Sequence, residues 1–320
     1  MSEFPRQLAL KVDVDTFRGT VEGVPRLVDL LKKHGAQATF LFSLGPDHTG
    51  RAIKRVFRPG FLGKVKRTSV VEHYGMRTLL YGTLLPGPDI GRRCADLLRS
   101  VAAEGFETGI HTWDHTKWQD GVEMADAAWT LRQMRLAIER YQDIFGAPAL
   151  THGAAGWQMN RHAMRLTQRL GFDYCSDGRG RQPFYPVQNG EIIGCPQIPT
   201  TLPTLDELIG VDGVDSFNVA DHLLALTADA SHSAHVYTLH AELEGMLLAT
   251  VFERLIEGWR AQDYELVGTR AIFDALDLTT LPRCEILRSE IPGRSGTLMV
   301  QGSEFLGDIA LPEPELEQAA

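Results

Sequence analysis

No stretch of this chain comes near the roughly 20 consecutive apolar residues that a bilayer-spanning helix needs, so a helical membrane span is excluded. Cysteine is scarce as well. Cys94, Cys175, Cys195 and Cys284 stand far apart without a Cys-x-x-Cys pair, which argues against a disulfide framework and for a reducing compartment. The opening Met-Ser-Glu-Phe-Pro-Arg-Gln enters the first apolar run without the basic region, apolar core and cleavage site of an export signal, so a cytoplasmic location is expected. Positive charge is in deficit: 32 Lys and Arg face 41 Asp and Glu, a net of -9, which speaks against wholesale nucleic-acid binding. Internal repeats and low-complexity blocks are also lacking. What is present, 320 residues at 43% hydrophobic and 23% charged, suits an ordinary globular protein with room for one barrel-sized domain or two smaller ones.

The apolar pattern alternates between periods of two and 3.6. Residues 8–14 read as a strand, 24–34 as a helix stopped by Gly35, and 38–42 as the next strand. After a long insertion, helices are expected near 90–104, 123–145, 160–170, 220–229, 246–260 and 269–276. Strands are expected near 107–110, 149–152, 174–176, 192–198, 235–240 and 265–267. Such repeated units impose a parallel sheet with helices outside it. About seven strands in one domain, residues 1–278, favour a distorted (β/α) barrel, with a doubly wound sheet as the alternative.

Two motifs carry chemistry. Asp13-Val14-Asp15 closes the first strand, and residues two apart on a strand point to the same face, so one carboxylate is placed to hold a metal while the other meets its water. His111 and His115, four apart, chelate one ion if the chain turns helical after the strand at 107–110. Acidic strand ends and single histidines are commonplace in proteins without metals. Here each motif follows an apolar strand, which in an α/β protein brings both to the same carboxyl edge. One carboxylate and two imidazoles with open coordination positions suit a divalent ion that polarises a carbonyl and acidifies water, and zinc, cobalt, manganese and nickel all fit that set.

The insertion, about residues 45–88, reverses the overall charge. Arg51, Lys54, Arg55, Arg58, Lys64, Lys66, Arg67 and Arg77 stand against Glu72, interleaved with Ile53, Val56, Phe57, Phe61, Leu62 and Val65 and followed by Leu79, Leu80, Tyr81, Leu84 and Leu85. Cations for anionic headgroups beside bulky apolar groups for the acyl boundary predict peripheral attachment to an anionic membrane surface, on the cytoplasmic face of the inner membrane. Beyond Leu278 the rhythm fades. Residues 279–320 are expected to form an irregular tail, made acidic at its end by Glu304, Asp308, Glu313, Glu315 and Glu317. No pattern sets an oligomeric state.

Asp13-Val14-Asp15, His111-x-x-x-His115, Ser176-Asp177 and Leu239-His240 follow in an order that resembles the motifs of the polysaccharide deacetylases, carbohydrate esterase family 4, across residues 8 to 276. The stretches 12–20, 22–27, 111–115, 154–157, 176–180, 197–204 and 237–242 are most similar to members of that family that remove a formyl group from a lipid-linked aminoarabinose. The resemblance implies a distorted (β/α) barrel, with Asp13 as catalytic base, Asp15, His111 and His115 as metal ligands, and His240 as the acid that protonates the leaving amine. It further implies hydrolysis of the formamide of undecaprenyl-phosphate-linked 4-deoxy-4-formamido-L-arabinose, a step in lipid A modification and polymyxin resistance. An N-deacetylase of another amino sugar and a non-catalytic metal-binding module at the membrane are the alternatives; a base and an acid beside the metal ligands disfavour the latter. The chain departs from the family at its third motif, where an arginine usually orients the base but Gly153-Ala154-Ala155-Gly156-Trp157 stands. Arg179 is the expected replacement cation, beside the base or a substrate phosphate. Trp157 and Asp177 are the further expected substrate contacts, Trp157 as an apolar wall.

Overall fold

Strand β1 (Arg6–Val14) is buried from Leu8 onward, as expected of a strand covered on both faces. Leu8, Leu10, Val12 and Val14 point out to the surrounding helices, while Ala9 joins Tyr174, Ile198, Val236 and Val267 in a cluster inside the sheet's curve. The computed structural model describes residues 6–52, 77–229 and 234–307. Around β1 lie β2 (Thr39–Ser43), β3 (Glu107–Thr112), β4 (Thr151–His152), β5 (Tyr174–Cys175), β8 (Ala234–His240) and β9 (Tyr264–Val267). The strand order is β5-β4-β3-β2-β1-β8 with β9 also on β1, seven strands in all, and every pairing is parallel.

The expected strand at 192–198 is not formed as such. Only β7 (Glu191–Ile192) is a strand there, and it runs antiparallel to β6 (Tyr185–Gln188). The residues after it close the barrel instead. Cys175 N donates to Pro196 O (2.9 Å), Ile198 N to Cys175 O (2.7 Å) and Thr201 N to Val236 O (3.0 Å), so this segment spans the gap between β5 and β8.

Helices α1 (Val24–Lys33), α2 (Ala95–Ala103), α4 (Ala127–Phe145), α5 (Arg161–Arg169), α6 (Val219–Thr227), α7 (Ala249–Ala261) and α8 (Thr269–Asp274) agree with the periodicity to within a few residues, while α3 (His115–Gly121) lies outside the helices it marked. Their ends follow local chemistry. The Asn160 side chain caps α5 by accepting from His162 N and Ala163 N, and α4 ends on Gly146 in the left-handed region (φ 70°), where a side chain is disfavoured.

Residues 283–304, expected to belong to an irregular tail, are built largely of strands instead. β10 (Arg283–Ser289) and β11 (Leu298–Glu304) form an antiparallel pair that adds to β6 and β7, giving a second sheet of order β11-β10-β6-β7. This hairpin is tied to the barrel, since Arg179 N donates to Met299 O (2.9 Å) and Gln301 N to Arg179 O (2.8 Å). Its mixed, half-exposed sequence hides the strand pattern. Residues 308–320, which carry most of the tail's acids, lie outside the described residues. So do residues 53–76, the centre of the basic insertion, which leaves β2 after Ser43 and returns at the helical turn Ile90–Arg93.

Candidate active site

Register brings the first two residues together: Asp13 on β1 pairs with His240 on β8 at the carboxyl edge of the sheet. Asp15 lies just past the end of β1. His111 belongs to β3, and His115 opens α3, so their spacing works across a strand-to-helix turn and not on one helix face as expected. Asp114 makes that turn. One of its oxygens accepts from Lys117 N (3.1 Å) as the helix cap and the other meets His48 Nδ1 at 2.6 Å. The two imidazoles stack with centroids 5.3 Å apart.

These donors converge on one point. His111 Nε2 stands 3.1 Å from Asp15 Oδ1 and His115 Nε2 stands 3.3 Å from Asp15 Oδ2. Two ligands about 2.1 Å from a common ion and at right angles to each other are separated by about 3 Å. Asp15 Oδ1 is buried without a hydrogen-bond partner, a condition that proteins avoid and that a cation shared with His111 Nε2 and His115 Nε2 would relieve. The donor set therefore fits a divalent ion. Two other groups of ligating residues occur among the described residues, His152–Cys175–Asp177 and His34–Glu253–Glu257. In the first, His152 Nδ1 and Asp177 Oδ1 are spent on each other at 2.6 Å; in the second, Glu253 is engaged by Lys33 and His34 at the surface.

Electrostatics separate the acids by role. Burial by itself would raise the Asp15 carboxyl, but His115, His111 and His240 outweigh it and hold Asp15 well below the carboxylate range. Glu242 goes the other way. Burial, and then the charge of Asp15, push it up to about 8, and it accepts from Thr16 N (2.7 Å), Thr16 Oγ1 (2.8 Å) and Asp15 N (3.1 Å), shaping the turn that carries Asp15. Burial pulls His240 down, but Asp15, Asp206, Glu244 and Asp13 prevail and raise it above its ordinary 6.5.

The remaining expected residues take other places. Arg179 is not the cation at the base. Its Nη1 meets both oxygens of Glu207 (2.8 and 2.9 Å) and its Nη2 donates to Leu202 O (2.8 Å), which fastens the closing segment. Arg179→Ala is expected to lower unfolding free energy by about 2 kcal/mol in urea titrations, since it strands part of a buried carboxylate that Arg294 and Thr204 N still reach. Asp177 is fully buried and also accepts from Gln197 Nε2 (3.0 Å), so it has no oxygen to offer a substrate. Trp157 is 1% exposed and sits edge-on to the His240 ring, with centroids 6.5 Å apart, backing the acid and not forming an open wall. Its φ of 54° is a strained value for tryptophan.

The cation at Asp13 is Lys11. Its Nζ lies 3.3 Å from Asp13 Oδ2, and both side chains are buried. The signal for it was a lysine inside a strand otherwise apolar on both faces, two residues before the base. Glu242 and His152 were missed for a different reason, because their partners are distant in sequence.

The signature of the polysaccharide deacetylase family matches residues 5–174. The "Probable 4-deoxy-4-formamido-L-arabinose-phosphoundecaprenol deformylase ArnD" of Shewanella sediminis (strain HAW-EB3) is 38% identical over 297 residues, covering 93% of this chain and 95% of that one. The protein of the same description from Wigglesworthia glossinidia brevipalpis is 32% identical over 284 residues, covering 88% and 98%. Among solved structures, a Mycobacterium smegmatis protein described as a polysaccharide deacetylase superposes with a TM-score of 0.61 at 17% identity, covering 91% of this chain and 97% of that one. Puue allantoinase superposes with a TM-score of 0.53 at 17% identity, covering 84% and 90%, and at such identities both attest the fold alone. The chain belongs to the polysaccharide deacetylase family.

Proposed function

We propose that this protein is a metal-dependent deformylase that hydrolyses the formamide of undecaprenyl-phosphate-linked 4-deoxy-4-formamido-L-arabinose to formate and the free amine. The class follows from the family, a hydrolase of amide bonds. The observation that carries the reading is the placement of Asp13 at one sheet edge, between the Asp15–His111–His115 donor set and His240 on the next strand. The substrate is that named for the two relatives, which match the chain along most of its length.

A divalent ion held by Asp15, His111 and His115 would polarise the formyl carbonyl and acidify a water. Asp13 acts as general base. Oδ2 is engaged by Lys11, leaving Oδ1, without a hydrogen-bond partner and 3.7 Å from His111 Nδ1, to take the proton from the attacking water. The C–N bond then breaks as His240 gives a proton to the leaving nitrogen. The raised value of His240 keeps its imidazolium, the donating form, populated at higher pH than an ordinary imidazole would allow.

The test is the release of formate from the lipid-linked formamido sugar, set beside the release of acetate from its acetamide analogue. Formate in clear excess is expected; acetate without formate would move the reading to a deacetylase. No helix among the described residues is long and apolar enough to cross a membrane. Attachment to an anionic surface through residues about 51–85 belongs to the same proposal. Leu84, 81% exposed near the end of that segment, supports it. The protein is expected to float with liposomes rich in anionic lipid and to sink when the insertion is deleted; equal flotation of the two forms would count against the surface role.

A further inference from the structure

Lys11 is fully buried, yet it carries an ammonium into the middle of the barrel. It lies on β1 with the parity of Ala9 and Asp13, so its side chain rises inside the curve of the sheet toward the base. Only a few groups receive it. Asp13 Oδ2 is 3.3 Å from Nζ, the carbonyl of Ser176 just beyond β5 accepts from it at 3.1 Å, and the Trp157 ring centroid is 5.4 Å away.

A lysine is costly at such a position, since a charge taken out of water needs close partners to offset its lost hydration. An apolar side chain would fill the same space without that penalty. The surroundings also give way to it: a Cβ placed on Gly153 would come within 3.1 Å of Lys11 Cε and 2.4 Å of Leu41 Cδ1. The small residue at 153 is thus the counterpart of the long one at 11. Arg179 and Arg294, the other cations near Trp157, are both taken up by Glu207.

From this geometry, and resting on the assignment of Asp13 as general base, we infer that Lys11 is the positioning residue for that base. Its ammonium, anchored by donating to the Ser176 carbonyl, holds Oδ2 and so leaves Oδ1 directed to the His111 side of the site, 3.7 Å from Nδ1. None of the contacts above is with a metal ligand, so Lys11 acts through Asp13.

The experiment compares Lys11→Met and Lys11→Arg with the parent in the full-length, metal-loaded protein, and places Lys11→Met also in an Asp13→Asn background. Formate release gives kcat and KM, elemental analysis gives bound metal, and thermal melts report folding. Lys11→Met is expected to lose about 100-fold in kcat with KM and metal content within about twofold of the parent, as misplacing a catalytic group does. Lys11→Arg is expected to recover to within about tenfold of the parent. In the Asp13→Asn background Lys11→Met is expected to change kcat less than about twofold, because the group it positions no longer works.

An unchanged kcat in Lys11→Met would overturn the inference, as would an equal loss with and without Asp13. A loss that tracks missing metal would overturn it too. If Lys11→Met does not fold, Lys11→Gln takes its place, with the same criteria. Should the parent cleave the acetamide and not the formamide, the identical comparison runs on acetate release, so that an error in the substrate stays separate from an error about Lys11. A parent inert toward both amides would remove the base, and the role of Lys11 with it.

Discussion

Formate release from protein stripped by a chelator is expected to fall at least about 10³-fold and to return when one of zinc, cobalt, manganese or nickel is resupplied. The reason is chemical: free water has a pKa near 15.7, and a carboxylate base such as Asp13 is far too weak to deprotonate it without an activating cation. His111→Ala is expected to reproduce the loss without any chelator, because it removes one of two imidazoles converging on Asp15. A second readout does not depend on turnover. Filling a site in which Asp15 Oδ1 lacks a partner stabilises the folded form by mass action, so the melting temperature should rise on adding metal to the parent and much less in His111→Ala. A parent that keeps full activity with no bound metal would remove this account.

Asp13→Asn is expected to lower kcat by about 10²–10⁴-fold while bound metal stays at the parent level. The amide keeps the shape of the carboxylate and leaves the Asp15–His111–His115 set intact, so the loss isolates proton transfer. His240 offers the complementary experiment. His240→Ala is expected to lose a similar factor on the amide, but far less on a substrate whose leaving group needs no proton. The pH profiles should differ as well. With the acid in place, kcat should decline as pH rises through the His240 value, which lies above 6.5, because the donating imidazolium is lost; in His240→Ala that alkaline limb should vanish. Equal turnover of amide by parent and His240→Ala would assign the leaving-group proton to another donor.

Much of the barrel was legible because its cause is local. Apolar residues at period two mark β1, and those at period 3.6 mark α1, with Leu27 and Leu31 turned inward, whatever the rest of the chain does. The chemistry-bearing motifs were legible for the same reason: Asp13 and Asp15 end one apolar strand, and His111 and His115 flank the end of another. Where local pattern is weak, reading failed. The segment 192–198 resembled a strand, but only Ile192 joins one, and Gln197 bridges Cys175 on one side and Phe184 on the other, so its pairing is split into isolated bridges. The β10–β11 hairpin resembled a tail because both of its strands are partly exposed, and its sheet exists only through β6, about a hundred residues earlier.

Chain-local information thus determined most of the strand and helix series and singled out Asp13, Asp15, His111 and His115 as candidates at the carboxyl edge, while His240 came from the resemblance to the family. Tertiary structure decided where each buried cation ends, although Lys11 and Asp13 share one face of a strand. Arg179, two residues past Asp177, went to Glu207, while Lys11, hidden in an apolar strand, came to Asp13. The physical reason is that a buried charge is placed by whichever opposite charge and free volume the fold brings within about 3 Å. Those are set by residues such as Glu207, Gly153 and Ser176, none of which is near its partner in sequence.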